Sequence, residues 1–233
     1  MRVYLGYGLC CSHCCLSSVR LLQITSTLIL TALGRRIIGG RKRAPLEKEE
    51  RARLVNKDFS LFSSSGLGGV VCSDLGVRFN SPTVNVYIRF DDFLKMMENL
   101  PYYMSLTPVK TKREGHLYPV LMLGDVKIYC VHYHITKRAI EKWVSRAKRV
   151  NYDDVRVMVA GLPWEYPDLM ERFDKLPYKK LVVTDYQGAP DLPYVRKISC
   201  KRGRTATIFN FKNFKGERYY DGQVDFVEFF NEK

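Results

Sequence analysis

Residues 155–160 read Val-Arg-Val-Met-Val-Ala, an apolar run of strand length that is interrupted only by Arg156. A strand with apolar side chains on both faces is typical of a sheet that helices cover on either side. The preceding segment, Thr136–Arg149, has helical spacing and an apolar stripe that includes Trp143. The following segment begins at Pro167, and proline is favoured in the first turn of a helix. This part of the chain therefore predicts helix, strand and helix in succession around a buried sheet.

Strand and helix patterns alternate along the rest of the chain. Short runs rich in branched and aromatic residues predict strands at 59–63, 82–88, 118–123, 126–134, 180–184, 195–200 and 205–211. Periodic apolar positions predict further helices at 45–55, 70–75, 90–100 and 224–230. The pair Gly124-Asp125 between two of the strands predicts a tight hairpin. Together the elements predict an α/β fold, with three layers (α/β/α) around a mixed β-sheet.

Residues 1–45 differ in composition from the rest and are predicted to form a basic, cysteine-containing leader that is poorly ordered. Its four cysteines lie within six residues and have no second ligand segment, so we predict no metal there. Acylation of these cysteines and an early translation start are alternative interpretations. The apolar run Leu21–Leu33 is too short to span a bilayer, but with the arginines that follow it could contact a membrane surface. Residues 46–233 are predicted to be a single α/β domain.

The net charge of +14 favours anionic partners: phosphate-bearing molecules, membrane surfaces or nucleic acid. The excess is concentrated in residues 35–57 and in the helix at 136–149, so nucleic acid is the disfavoured partner. Outside the leader the cysteines are isolated, which is typical of a reducing compartment. We therefore expect a cytoplasmic protein, with the inner-membrane periphery as the alternative location.

A turn rich in serine and glycine connects the first predicted strand to the helix at 70–75. Its candidate substrate-binding residues are Ser63, Ser64, Ser65, Gly66, Gly68 and Gly69. Backbone N–H groups at a helix N-terminus attract anions, and glycine lets a ligand approach the backbone closely. The segment is neither a P-loop nor a dinucleotide fingerprint. We predict that it holds a phosphate or a sugar hydroxyl, and the alternative is a purely structural turn.

Two titratable residues of the hairpin region, Asp125 and His132, are candidate catalytic groups. Histidine can transfer a proton near neutral pH, and Asp125 could orient that histidine or a substrate hydroxyl. His134 shares a face of the predicted strand with His132, but no third ligand is evident, so no metal site is predicted. The alternatives are a packed or surface histidine and an aspartate that satisfies the donors of its own turn.

Three further residues complete the predicted substrate-binding set: Tyr133, Lys142 and Arg146. Lys142 and Arg146 lie on the basic face of the helix at 136–149, which also carries Arg149. Cationic side chains on one face could dock a phosphate or an anionic polymer. The alternative is a solvated helix face.

Several short motifs occur in an order that resembles a known family. They are Asn56-Lys57-Asp58-Phe59-Ser60, Gly68-Gly69, Asp74-Leu75-Gly76, Ser81-Pro82-Thr83-Val84, Tyr118-Pro119, Leu123-Gly124-Asp125-Val126, His132-Tyr133, Glu141-Lys142-Trp143 with Arg146, Arg149-Val150-Asn151 and Phe173-Asp174-Lys175-Leu176-Pro177-Tyr178. The series is similar to a bacterial family with a domain of unknown function, DUF1919, whose members are often labelled exopolysaccharide biosynthesis proteins. Ser63–Gly66 departs from it, because the family typically has Ser-Asn-Asn-Cys there. A chemical role of that cysteine in relatives would have no counterpart in this chain.

The resemblance implies an α/β fold and a carbohydrate, either a sugar or a phosphorylated sugar, as the ligand. We therefore expect a protein of exopolysaccharide or capsule biosynthesis, with a transferase acting on a sugar or activated sugar as the leading hypothesis. The rival hypothesis is a non-catalytic module that binds an anionic glycan or a membrane surface through the leader and the basic helix. The sequence identifies no cofactor and no oligomeric state.

Overall fold

A computed structural model describes residues 37–111, 115–199 and 212–232. Residues 1–36 of the predicted leader and the predicted strand at 205–211 lie outside the described residues. The described chain divides into two compact units. One comprises 37–43 and 212–217, and the other comprises 44–111, 115–199 and 218–232.

The secondary structure elements follow in chain order. They are α1 (37–53), β1 (Ser60–Ser63), α2 (Leu67–Asp74), β2 (Tyr87–Ile88), α3 (Phe90–Glu98), α4 (Leu100–Ser105), β3 (Val109–Lys110), β4 (Val120–Leu123), β5 (Val126–Tyr129), α5 (Thr136–Ala147), β6 (Val155–Ala160), α6 (Pro167–Asp174), β7 (Lys179–Thr184), β8 (Val195–Lys197) and α7 (Phe226–Asn231).

The larger unit contains a parallel sheet with the strand order β1-β6-β7-β8. Successive side chains of a strand point to opposite faces, and here both faces are apolar. Phe62 and Val157 belong to a core with α3, α5 and α6, whereas Leu61 and Met158 belong to a core with α2 and α7. Helices therefore cover both faces of this sheet, as the apolar run at 155–160 predicts.

A second, antiparallel sheet has the order β2-β5-β4-β3. Its strands β4 and β5 form the predicted hairpin, and Gly124 in the turn has a φ of 61°. The buried side of this sheet, including Leu121 and Ile128, joins the core with α3, α5 and α6. The α/β fold is thus confirmed, with one difference. The parallel and antiparallel strands lie in two sheets instead of one mixed sheet, because the hairpin strands pair locally with each other and with β2 and β3.

Several predicted elements differ in extent, among them the strand predicted at 126–134, which ends at Tyr129. Residues 82–86 of the predicted strand at 82–88 form a turn in which Asn85 has a φ of 66°, so only Tyr87 and Ile88 are extended. Pro101 does not end a helix but lies in the first turn of α4, a position where its missing N–H costs nothing. The helix predicted from Pro45 begins upstream, since residues 37–44 are helical too.

The smaller unit joins helical residues 37–43 to the segment 212–217. Arg43 donates a hydrogen bond from Nη1 to the carbonyl oxygen of Gly216 at 3.2 Å. Gly39 and Gly216 lie against the backbone of the opposite segment at distances that leave no room for a side chain. Across the described residues of both units, the structure has no helix with the length and apolarity that a membrane crossing requires.

Candidate functional site

In parallel α/β sheets, ligands bind in crevices at the carboxyl ends of the strands. At that edge of the parallel sheet, the loop 161–166 between β6 and α6 contributes to two clefts. One of them, which we name the aromatic cleft, has a volume of about 700 Å³. It is lined by Tyr87, Arg89, Phe90, Asp91, His116, Tyr118, Tyr129, Pro163, Tyr166 and Leu169.

Strand pairing explains why tyrosines converge in the aromatic cleft. Tyr87 in β2 lies directly opposite Tyr129 in β5, so the two side chains stand on the same face of the antiparallel sheet. Their ring centroids are 5.7 Å apart. The next pair, Ile88 and Ile128, points to the other face and is completely buried. Alternation along the strands therefore gives this sheet one core face and one aromatic face.

His116 completes the aromatic lining. Its ring stacks on Tyr118 at a centroid distance of 5.0 Å and meets the ring of Tyr129 edge-on at 5.5 Å. Tyr87 is 46% exposed and Tyr166 is 57% exposed. Exposed aromatic side chains that converge on a concave surface are a feature of binding sites.

Polar groups in the aromatic cleft are available to a ligand. Within the described chain, the hydroxyl groups of the cleft's four tyrosines make no hydrogen bond to protein. Arg89 and Asp91 form an exposed ion pair with 3.4 Å between Nε and Oδ1, and the charge of Asp91 raises the pKa of Arg89. The cleft thus combines ring faces with hydroxyl, imidazole, guanidinium and carboxylate groups.

The second cleft, which we name the apolar cleft, lies on the other side of the loop 161–166. It has a volume of about 740 Å³ and its lining includes Leu162, Trp164, Met170 and Leu192, with Glu165 as its charged residue. The lining of the aromatic cleft is better suited to a ligand that presents many hydroxyl groups, because it offers several donors and acceptors.

The predicted serine-glycine turn lies at the carboxyl end of β1. Ser63 and Gly68 pack so closely that a Cβ atom on Gly68 would lie 2.8 Å from the Cβ of Ser63. Gly69 packs in the same way against Val84 and Asn85. Ser64 and Ser65 precede Gly66, and Ser64 accepts a hydrogen bond from the backbone N–H of Ile88 at 3.0 Å. Glycine at positions 68 and 69 thus allows α2 to lie close to β1 and to the turn 81–86.

The structure brings several of the predicted substrate-binding residues to the turn 81–86. The N–H of Ser63 donates to Oγ1 of Thr83 at 3.1 Å. Arg146 donates from Nη1 to the carbonyl oxygen of Val84 at 2.9 Å and to the hydroxyl of Tyr133 at 3.1 Å. Lys142 is exposed one helical turn before Arg146 on α5.

The predicted catalytic pair is not brought together. Asp125 lies in the turn before β5, where hydrogen bonds from Lys95 and Tyr103 hold the pKa of its carboxyl below the usual value. His132 is exposed beyond the other end of β5. A strand of this length spans about 13 Å, which is too far for Asp125 to orient His132. Neither residue lines the aromatic cleft or the apolar cleft.

Sequence reasoning missed the lining of the aromatic cleft, because tyrosines in strand-like segments were interpreted only as strand formers. A signal was present: Tyr87 and Tyr129 alternate with isoleucines that fit a core, so they had to point the other way. The pairing of β2 with β5, which places these two tyrosines side by side, is not encoded in either segment alone.

The described residues also bear on two other kinds of site, a metal site and a nucleophilic cysteine. Among the described residues, no three His, Cys, Asp or Glu side chains are grouped so that they could hold a metal ion. The leader cysteines lie outside these residues. Cys72 and Cys130 are buried free thiols, and burial raises the pKa of each to about 12, so neither is suited to act as a nucleophile.

Comparison with known proteins places the chain in a family. A sequence model of the domain of unknown function DUF1919 matches residues 38–231. The chain belongs to this family. An uncharacterized protein of Haemophilus influenzae (strain ATCC 51907 / DSM 11121 / KW20 / Rd) is 32% identical over 198 residues, which cover 83% of this chain and 94% of that protein. The resemblance to DUF1919 that the ordered motifs predicted is confirmed. The matched range contains all residues that line the aromatic cleft.

Proposed function

We propose that the protein binds a sugar or an activated sugar in the aromatic cleft and acts in the synthesis of a surface polysaccharide. The observation that carries the proposal is the convergence of five phenylalanine and tyrosine rings and one imidazole on a cleft of about 700 Å³ at the carboxyl edge of a parallel sheet. The link to exopolysaccharide or capsule synthesis rests only on the family resemblance given in the sequence analysis and is part of the proposal.

The chemistry of sugars supports this choice. A pyranose ring has a face of C–H groups that packs on an aromatic ring, and its edge carries hydroxyl groups that need hydrogen-bond partners. The cleft supplies both kinds of surface, with exposed rings such as Tyr87 and Tyr166 and with hydroxyl groups that bond to none of the described residues. The volume is within the usual range for small-molecule sites.

A transferase also needs a group that accepts the proton of the attacking hydroxyl. His116 and Asp91 are the cleft residues that can do this, and they take the place that the sequence assigned to His132 and Asp125. In this hypothesis His116, held between Tyr118 and Tyr129, is the general base and Arg89 faces the anionic leaving group. The rival hypothesis, a non-catalytic glycan-binding module, uses the same rings but needs no base.

The first prediction concerns two exposed tyrosines that line the aromatic cleft. Binding of a panel of free sugars, sugar phosphates and nucleoside diphosphate sugars would be measured by thermal shift and then by calorimetry. Tyr87→Ala and Tyr166→Ala should each raise the Kd of the selected ligand about tenfold, since one aromatic contact contributes about 1–1.5 kcal/mol. Neither substitution should unfold the protein, because both side chains are half exposed.

Tyr102→Ala is the matched control, because Tyr102 is 51% exposed on α4 and does not line the cleft. Equal weakening by this control, or saturable binding by no member of the panel, would refute the proposal. His116→Ala separates the two hypotheses. In a transferase, His116→Ala should reduce turnover of the selected donor far more than it weakens donor binding, whereas binding without turnover by the wild-type protein supports the non-catalytic module.

A further inference from the structure

Arg146 is a buried cation without an anionic partner among the described residues. It is 9% exposed, and its hydrogen bonds go to the carbonyl oxygen of Val84 and the hydroxyl of Tyr133, which are neutral. Buried charges in proteins are normally paired, because removing a charge from water is costly. A buried guanidinium with only neutral partners is therefore a candidate site for binding an anion.

Two other buried arginines of the larger unit follow the usual rule. Arg156 is 1% exposed and pairs with Asp154, with 2.8 Å between Nε and Oδ1. Arg218 is 8% exposed and pairs with Asp74, with 2.7 Å between Nε and Oδ2. Arg156 and Arg218 thus each have a carboxylate partner, and among these three buried arginines Arg146 is the one whose described partners are neutral.

Two more arginines lie beside Arg146 around Phe79, and we name Arg78, Arg146 and Arg149 the arginine cluster. The guanidinium carbon of Arg146 is 5.4 Å from the ring centroid of Phe79. Arg149 donates from Nη2 to the carbonyl oxygen of Phe79 at 2.6 Å, while its buried Nε has no hydrogen-bond partner within the described segments. Burial, and then the charges of Arg78 and Arg146, lower the pKa of Arg149. The cluster is thus repulsive without an anion.

We infer that the arginine cluster binds the phosphoryl group of a small soluble ligand. Guanidinium groups donate in a planar fork that matches phosphate oxygens, and charge-assisted bonds of this kind are stronger than neutral ones. Arg78 is exposed and has no partner among the residues that the structure describes, so it can close over a bound group. A membrane surface fits less well, because a flat layer of headgroups would touch little of Arg146.

Of the arginine cluster, Arg146 is the member that lies near the aromatic cleft, whereas Arg149 bonds to Phe79, eight residues before Tyr87. Val84, which accepts the hydrogen bond of Arg146, is three residues before Tyr87 of the cleft, so their Cα atoms are at most about 11 Å apart. One ligand could therefore place a sugar on the rings and a phosphate at the arginines. Only this last step rests on the proposed function; the phosphate site itself does not.

The test uses inorganic pyrophosphate and the full chain, with calorimetry at constant ionic strength. The wild-type protein should bind it saturably, and Arg78→Gln should raise the Kd about tenfold or more, as expected for one lost charge-assisted hydrogen bond. Arg146→Gln should abolish binding. Should Arg146→Gln fail to fold, Arg78→Gln still decides, because Arg78 is exposed.

Lys148→Gln is the control, since Lys148 is exposed near the end of the same helix and points about 200° away from Arg146. It should leave the Kd unchanged. The inference is overturned if pyrophosphate does not bind saturably, if Lys148→Gln weakens binding as much as Arg78→Gln, or if binding occurs only to phosphatidylglycerol vesicles. If the wild-type protein binds pyrophosphate but no sugar of the panel, the proposed function is refuted and the phosphate site still stands.

Discussion

Replacing Arg156 with methionine is expected to lower the free energy of unfolding by about 3–5 kcal/mol. The Arg156 side chain lies in β6 and is almost fully enclosed, and it binds both oxygens of Asp154. It also donates to the carbonyl oxygens of Phe229 and Glu232 in the C-terminal segment. Methionine fills much of the volume but makes none of these hydrogen bonds. The Asp154 carboxylate then keeps only its bond from Asn56, the Glu232 carbonyl keeps its bond from Lys179, and the Phe229 carbonyl loses its arginine donor. The loss should appear as a lower midpoint in urea unfolding with an unchanged slope.

Arg172→Met provides the comparison, because Arg172 forms a two-point ion pair with Glu98 at the surface. Removing an exposed pair costs about 0–1 kcal/mol. A cost for Arg156→Met as small as that for Arg172→Met would show that the buried pair does not anchor the C-terminal segment.

The pH dependence gives a second measurement on the same pair. Burial alone would raise the pKa of Asp154, but hydrogen bonds from Arg156 and Asn56 outweigh it and lower the pKa below the ordinary value. The stabilisation is therefore present above the unfolded pKa of about 3.9 and is lost as the pH falls through the folded pKa. The difference in stability between the wild-type protein and Arg156→Met should narrow below about pH 4. A difference that widens on acidification would contradict this assignment.

Gly68→Val is expected to destabilise the protein by about 3 kcal/mol. A Cβ atom at Gly68 would lie 2.8 Å from the Cβ of Ser63 and 3.3 Å from Cδ2 of Leu61, so α2 must move away from β1. The cost should be measured by urea unfolding. Gly40→Val is the matched control, because Gly40 is also helical and a side chain there would meet nothing within 4 Å. Its effect should stay within about 0.5 kcal/mol.

The same variants test the ligand role that the sequence assigned to the serine-glycine turn. A packing role requires Gly68→Val to lose stability. A ligand-binding role instead requires it to keep stability and lose binding of the sugar or phosphate probe. Unchanged stability with lost binding would show that the serine-glycine turn binds the ligand, and it would contradict the close packing of Ser63 against Gly68.

Local chemistry was enough to predict several elements. The hairpin follows from Gly124-Asp125, because a short loop with a residue that tolerates positive φ favours pairing of its flanking strands. Helix α5 follows from its apolar stripe, and β6 from a run that fits a sheet covered on both faces. The turn at 82–86 was missed because strand propensity in Val84 and Val86 was outweighed by packing against α2 and by the positive φ of Asn85.

The candidate sites also include features that the sequence shows and features that only the tertiary structure shows. The basic helix with Arg146 was recognisable in sequence. That none of the described carboxylates lies beside this buried guanidinium depends on which segments surround it. Asp125 and His132 are only seven positions apart in sequence, yet an extended strand between them keeps them apart. The aromatic cleft needed the register of β2 on β5 and the position of the β6–α6 loop.

The sequence by itself therefore determined the α/β class, the hairpin, most helices and the family. Periodicity and turn chemistry act between residues that are near each other along the chain, and one chain is enough to show them. Tertiary structure alone decided that the strands form two sheets, that four distant tyrosines and His116 share one cleft, and that Arg146 is buried with no counter-charge from the part of the chain that the structure describes. These features depend on contacts between segments far apart in sequence, which no local pattern specifies.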